Sequence, residues 1–267
     1  MKTTTYQSLM AIPLALVVSG TSFAEEQKQQ KEIQDMSDPL AVYTQLGAGY
    51  TDKGLNFKAG NSYDSGKPAT MAMNILEIKG VLGDTLGTRD DLEDSVDSIR
   101  FRNFIVNNEN GRGSQVDVSY NLNSKSGSAS YSIIQATPKM GAFQFFPLAG
   151  VGLAVANNVN EHALWAEPDA PSGFSVPGAF VMIGTYGKMD ITDKLWINYN
   201  PVWLKAVAGS DAYVDNAYGA GDQDIFTHEA AISYQITPVM NVRYFANWTT
   251  HLSFDDGDHR IEINYQL

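Results

Sequence analysis

Apolar and polar residues alternate with a period of two in four stretches of the chain. In residues 259–267, Ile261, Ile263 and Tyr265 share one face of an extended strand, and the residues between them are polar. Because successive side chains of a β-strand point to opposite faces, this period predicts strands with one apolar and one polar face. The same alternation runs through residues 114–122, 226–236 and 240–248.

Short segments of this kind continue along most of the chain, separated by turn residues. Thr-Pro at 137–138 and 237–238 and Thr-Asp at 192–193 mark tight turns, and longer connections alternate with them. The pattern predicts twelve strands, an even number, so the first and last strands can meet and close the sheet. The predicted strands cover residues 40–50, 53–63, 70–83, 97–108, 113–123, 128–136, 139–156, 178–191, 194–206, 224–236, 239–252 and 259–267.

The first 24 residues predict a secretory signal peptide. Lys2 precedes an apolar run, and Ser22 and Ala24 supply small residues for cleavage. Residues 25–38 are then a polar leader, expected in the periplasm, and residues 39–267 form one β-barrel domain. The longest later apolar run, residues 145–156, is too short for a spanning helix and contains a proline and two glycines. The mature chain is therefore either a soluble exported β-sandwich or a barrel in the outer membrane, since both show a period of two.

Charge and cysteine content narrow the possible partners. Removal of residues 1–24 leaves 17 basic and 30 acidic residues, a net charge of −13, which argues against a nucleic-acid partner. The chain has no cysteine, so disulfides, a thiolate nucleophile and a cysteine metal site are excluded.

Aromatic residues lie near the ends of the apolar rows, among them Tyr120, Tyr234 and Trp248, as expected where rings meet a bilayer interface. With the signal peptide and the alternating final strand, the chain resembles the porin-like outer-membrane β-barrel proteins of Gram-negative bacteria. That class usually ends in Phe or Trp, whereas this chain ends in Leu267. The residues do not identify a particular family within the class.

The resemblance implies an all-β fold: a single antiparallel up-and-down transmembrane β-barrel of about 12 strands, with short periplasmic turns and longer outer loops. It also implies location in the cell outer membrane, in contact with lipid and lipopolysaccharide. In that class the last strand, here residues 259–267, is a signal for the barrel-assembly machinery. We expect a monomer.

The polar faces of the strands predict a charged lumen. The predicted inward positions, which include Glu77 and Lys188, carry seven basic and four acidic residues. This excess of positive charge favours a narrow passive channel for small hydrophilic solutes that are mildly anionic or neutral. The alternative is a non-conducting structural or surface-interaction barrel, in which the inward charges pair across strands and acidic outer loops meet a partner. The predicted lumen-lining residues are Lys58, Lys79, Arg100, Arg102, Asp117, Glu229, Arg243, Arg260 and Glu262.

Catalytic chemistry finds little support in the sequence. A lipid-modifying enzyme would need a histidine with an orienting acid, but His228 and Glu229 are adjacent in a strand and point to opposite faces. His251 and His259 flank a loop with Asp256 that could hold a metal, and acidic residues also cluster in residues 83–97, without EF-hand spacing. Solvation explains both clusters more simply, so we expect no catalytic residue, cofactor or metal.

Overall fold

The computed structural model describes residues 33–88, 95–166, 169–170 and 172–267. The predicted signal peptide and residues 25–32 of the leader lie outside the described residues. No helix in the described ranges is long and apolar enough to cross a membrane. The described strands are β1 (Gln45–Thr51), β2 (Gly54–Asp64), β3 (Thr70–Val81), β4 (Ser98–Asn107), β5 (Arg112–Asn121), β6 (Ser126–Gln135), β7 (Phe143–Asn157), β8 (Phe174–Asp190), β9 (Leu195–Gly209), β10 (Asp224–Thr237), β11 (Met240–Thr249) and β12 (Asp258–Gln266). Two short α-helices, α1 (Gly83–Leu86) and α2 (Asp211–Asn216), and a 3₁₀ turn at Val159–Glu161 lie in connections.

The twelve strands form one closed antiparallel barrel. Each strand pairs with its neighbours in sequence, and β1 pairs with β12 from Gln45 opposite Gln266 to Thr51 opposite Arg260. Closure gives every strand two partners, so the sheet has no free edge. The predicted all-β, twelve-stranded up-and-down barrel is confirmed, and each predicted segment overlaps one observed strand.

Three strand boundaries differ from the predicted ones by four residues or more. Residues 40–44, predicted as the start of the first strand, are not a strand, and residues 139–142 form a turn in which Gly141 has φ 62°. β8 begins at Phe174 rather than at 178. The reason is that Pro177, which signals a strand boundary, lies in an irregularity between the pairs Ala156–Ser175 and Ala154–Gly178. A bulge tolerates a proline because no ladder hydrogen bond is needed there.

The connections at the two ends of the barrel differ in length. The end that carries Gln45 and Gln266, here called the short-turn end, has connections at residues 65–69, 108–111, 136–142, 191–194 and 238–239. The opposite, long-loop end has the three longest, residues 82–97, 158–173 and 210–223. This is the predicted asymmetry of short periplasmic turns and longer outer loops.

The two faces of the barrel wall have opposite polarity. Outward side chains such as Val118, Ile232 and Ile261 are exposed and apolar, whereas the inward side chains beside them, such as Ser233 and Glu262, are buried and polar. A soluble sandwich would bury its apolar row between two sheets, so the observed arrangement excludes that alternative. An apolar exterior around a closed polar interior is the surface of a barrel that spans a bilayer.

Candidate functional site

The barrel interior collects the charged side chains that the alternation predicts to point inward. The period of two places alternate residues of a strand on the same side, so a single register fixes the inward set. The predicted residues come from seven strands: Lys58 from β2, Lys79 from β3, Arg100 and Arg102 from β4, Asp117 from β5, Glu229 from β10, Arg243 from β11, and Arg260 and Glu262 from β12.

Glu262 is the centre of the first charge cluster. Its Oε1 lies 2.7 Å from Lys58 Nζ and its Oε2 lies 3.2 Å from Arg260 Nε. The strand between Lys58 and Glu262 carries Gly47, where a Cβ atom would come within 3.0 Å of Lys58 Cε and 2.8 Å of Asn264 Oδ1. Glycine at this position therefore leaves the space through which Lys58 reaches Glu262.

Glu77 and Asp117 form the second charge cluster. Arg102 donates from Nη2 to Glu77 Oε1, and Lys79 Nζ lies 3.9 Å from the other carboxylate oxygen. Arg100 binds Asp117 with two parallel contacts, Nε to Oδ1 at 2.9 Å and Nη2 to Oδ2 at 2.5 Å. Such a fork holds both partners in one geometry. Five predicted cations thus share three carboxylates along one half of the wall, from β12 through β5.

Arg243 and Glu229 are bound differently. Arg243 donates to Ser233 Oγ and Asn198 Oδ1, both at 2.9 Å, and its guanidinium lies 4.5 Å from the centre of the Phe245 ring. In the described ranges no carboxylate lies within ion-pair distance of Arg243. Glu229 accepts a hydrogen bond of 2.8 Å from the Asn200 amide. The predicted residues therefore separate into a paired half of the wall and a half where charges meet neutral polar groups.

Residues 35–43 lie inside the short-turn end of the barrel. Met36 is buried, and its sulfur lies 3.3 Å from Gln235 Nε2 and 3.8 Å from Asn241 Nδ2. Val42 packs against Met73, Ile75 and Val106, which face inward. The predicted leader thus contributes contacts from its last described residues. The composition of residues 25–38 does not predict a position inside the barrel, although Met36 is an apolar residue in a polar segment.

Asp35 attaches the same segment to the wall. Its carboxylate accepts hydrogen bonds from Ser37 N at 2.9 Å and Ser37 Oγ at 2.6 Å, and it lies 3.5 Å from Lys188 Nζ. Partial burial acts to raise the pKa of Asp35, but the Ser37 hydrogen bonds and the Lys188 charge hold it below its usual value. Lys188 also lies 3.3 Å from Asp190.

A polar cavity of about 180 Å³ lies between residues 36–43 and the barrel wall. Three buried polar atoms on its lining, Arg102 Nε, Asn200 Oδ1 and Asn264 Oδ1, have no hydrogen-bond partner among the described residues. Polar groups buried without a partner are costly, so the site is suited to a hydrated or hydrophilic guest. Its charged lining comes from Asp38, Lys58, Arg102, Glu229 and Arg243.

At the long-loop end, the connection 210–223 folds over inward-facing small residues. Tyr213 is buried and packs with Ala154 and Ala206. A Cβ atom at Gly178 would lie 2.1 Å from Tyr213 Cδ1, so this ring can only lie over glycine. Tyr213 also meets the Trp165 ring edge to face at 5.2 Å. The described part of the long-loop end thus packs a loop against the inner wall, which the strand pattern did not predict.

The histidines considered in the sequence lie on the outer surface or in loops. His228 Nδ1 lies 2.7 Å from Tyr199 Oη, and the His228 ring stacks on Trp248 at 4.9 Å. The structure does not bring His251 and His259 together: His251 lies 3.5 Å from Asp222, whereas His259 Nδ1 lies 2.7 Å from Tyr244 Oη. Most of the acidic residues of 83–97 lie outside the described residues, in 89–94. The prediction that the chain is not an enzyme stays a prediction.

No protein-family model matches the chain, and no curated protein matches it in sequence. Solved structures share its fold. An outer membrane channel from Pseudomonas putida F1 superposes with a TM-score of 0.52 at 8% identity, over 86% of this chain and 97% of that one. The NanC porin superposes with a TM-score of 0.51 at 8% identity, over 84% of this chain and 100% of that one. At such identity the likeness concerns the fold. With its apolar exterior, the chain has the fold of the porin-like β-barrels of the Gram-negative outer membrane, as the sequence predicts.

Proposed function

We propose that the chain forms a narrow channel for the passive passage of small hydrophilic solutes across the outer membrane. The supporting observation is the polar cavity in the lumen, where three buried polar atoms lack a partner among the described residues. A hydrophilic solute can exchange its hydration for contacts with such groups. Two proteins with similar folds are themselves described as a porin and an outer membrane channel.

The charge of the lumen supports a mild preference for anionic or neutral solutes. Apart from Lys188, the inward residues predicted from the sequence are six basic and four acidic, an excess of two positive charges. At the short-turn end, Lys188 meets Asp35 and Asp190, and Lys139 also meets Asp190, so these two cations and two anions balance. Charges in a low-dielectric wall focus their field into the lumen, so the inward excess of basic residues sets the preference. The six basic residues are Lys58, Lys79, Arg100, Arg102, Arg243 and Arg260, and the acidic ones are Glu77, Asp117, Glu229 and Glu262.

A second candidate function is a non-conducting structural or surface-interaction barrel. It is favoured by the two charge clusters, in which Glu77, Asp117 and Glu262 are each bound by cations. Buried, fully paired charges behave as fixed parts of the wall. Contact with lipopolysaccharide, a monomeric state and recognition of residues 259–267 by the barrel-assembly machinery stay predictions under either function.

Single-channel recording separates the two functions. The mature chain is refolded in detergent, its folding is checked by heat-modifiable gel migration, and it is inserted into a planar bilayer under a KCl gradient. We expect discrete steps with a reversal potential on the anion side, and a shift toward zero in Arg243→Gln, whose wild-type cation lacks a carboxylate partner among the described residues. The matched control is Lys67→Gln, which removes a positive charge from an exposed turn. A folded protein that shows no steps would refute the channel.

A further inference from the structure

Residues 35–43 contact the barrel wall at two places that lie far apart around its circumference. At one place Met36 contacts Gln235 on β10 and Asn241 on β11. At the other, Val42 packs against Met73 and Ile75 on β3 and Val106 on β4. In the closed order of twelve strands, β10 and β4 are separated by six steps in either direction. They are therefore on opposite walls.

A chain that touches opposite walls of a closed barrel must cross its lumen. Between the two contacts, Ser37 hydrogen-bonds to Asp35, and the Leu40 amide donates to Asp38 Oδ1 at 2.8 Å, so the crossing is a compact series of turns. Leu40 extends the second contact, because a Cβ atom at Gly113 on β5 would lie 3.3 Å from Leu40 Cδ2. The segment also forms one side of the polar cavity.

We infer that residues 35–43 are a plug that narrows the short-turn mouth of the channel and opens it when released. This inference rests on the proposed channel function. The contacts of the plug include two buried apolar anchors, Met36 and Val42, with Leu40 packed beside Val42. They also include the Asp35–Lys188 ion pair, in which the Asp35 side chain is 65% exposed. No strand of the barrel includes these residues, so they can leave the lumen without breaking a ladder hydrogen bond.

The plug also changes the charge of the mouth. It carries Asp35 and Asp38 to the short-turn end. Without the plug, Asp190 is the one described acidic residue that lies within ion-pair distance of Lys188. Release of the plug therefore removes two negative charges from the path. A released channel should be both wider and more selective for anions than a plugged one.

Conductance of a truncated mature chain tests the plug. We compare the chain that begins at Glu25 with a variant that lacks residues 25–42 and with a control that lacks only residues 25–32, after gel migration shows that each is folded. We expect the longer deletion to raise the unit conductance several-fold and move the reversal potential further to the anion side, and the control to match the full chain. Equal conductance of all three would overturn the plug and leave the channel standing. Silence of all three folded proteins would overturn the channel and the gate together.

A full-length variant tests the plug without a deletion that could prevent folding. Met36→Ser combined with Val42→Ser removes both apolar anchors and keeps the length of the chain. It should raise the conductance in the same direction as the deletion. A conductance equal to that of the unmodified chain would overturn the anchoring roles of these two residues.

Thiol labelling measures the position of the plug directly, because the chain has no cysteine. Met36→Cys places one thiol at the buried anchor, and Lys67→Cys places one in an exposed turn at the same end of the barrel. If the released state is populated at about 10% or less, a bulky membrane-impermeant maleimide should label the thiol of Met36→Cys about tenfold more slowly than that of Lys67→Cys. Equal rates would overturn the plug.

Discussion

Replacement of Glu262 by Gln would leave two buried cations without their shared carboxylate. Lys58 Nζ and Arg260 Nε lie 2.7 and 3.2 Å from the Glu262 oxygens, and all three side chains are at most 13% exposed. Glutamine keeps the shape of the side chain and removes its charge. The change therefore isolates the electrostatic part of the cluster.

The expected loss follows from the cost of an unpaired buried charge. Removing one partner of a buried ion pair destabilises a protein by about 3–5 kcal/mol, and a hydrated lumen should bring the loss to the lower end. A loss of about 3 kcal/mol lowers the folding equilibrium constant by about 100-fold. Urea unfolding of the refolded barrel, followed by the fluorescence of its four tryptophans, measures this directly.

A second variant and a control give the result its meaning. Lys58→Met combined with Glu262→Gln removes a cation and an anion together, so it should recover the part of the lost free energy of unfolding that is due to Lys58, while Arg260 still lacks its carboxylate. Glu109→Gln, in an exposed turn, should change that free energy by less than about 0.5 kcal/mol. If Glu262→Gln unfolds at the same urea concentration as the unmodified barrel, the ion-pair reasoning is refuted.

Further predictions concern the wall, its packing and the plug. Val118→Arg places a charge on the lipid-facing row and should cost about 2–4 kcal/mol of unfolding free energy in bilayers, which a loss below about 1 kcal/mol would contradict. Gly152→Ala should cost about 1–3 kcal/mol, because its Cβ atom would lie 2.3 Å from Phe180 Cζ, and Phe180→Leu in the same chain should relieve part of that cost. The pKa of Asp35 is lowered when the plug is docked, so its contribution to docking is present above the ordinary carboxyl pKa and is lost as the pH falls through the lowered one. Acidification should then raise the labelling rate of Met36→Cys by about twofold, as expected for an exposed ion pair. Asp35→Asn should show the raised rate at neutral pH and no further rise in acid, because burial raises the pKa of Asp38 and protonation of that carboxyl favours docking. The charged groups around Asp35 are Lys188, which also contacts Asp190, and Lys139, which contacts Asp190 from the neighbouring turn.

The strands and their faces were predictable because both follow from one local period. In β12 the alternation of Ile261 and Ile263 with Arg260 and Glu262 is complete, and the structure exposes the first pair and buries the second. Since one buried face fixes the register, the same pattern also predicts which charges point inward. The even number of strands also follows, because the first strand begins and the last strand ends at the short-turn end of the barrel.

The pairing of the inward charges was not predictable from the same pattern. Lys58 and Glu262 are separated by nearly the whole chain, and they meet because β1 lies between their strands and carries glycine where a side chain would block the contact. Periodicity within one strand contains no information on the height of the oppositely charged partner, which is its position along the barrel axis. That height depends on the shear of the closed sheet, which is a property of all twelve strands together.

Strand periodicity does not predict the plug, for a different reason. Residues 40–44 continue toward β1 with the apolar residues Leu40 and Val42, and the alternation therefore predicts a longer first strand. In the closed barrel, β1 begins at Gln45 opposite Gln266, the last residue of β12, and the last backbone hydrogen bond on that side runs from Leu267 N to Thr44 O at 2.9 Å. The chain turns inward instead, where Val42 finds the apolar patch of β3 and β4 and Met36 finds the opposite wall. The length of the last strand thus determines where the first strand begins. It also determines which residues before that strand are left to cross the lumen.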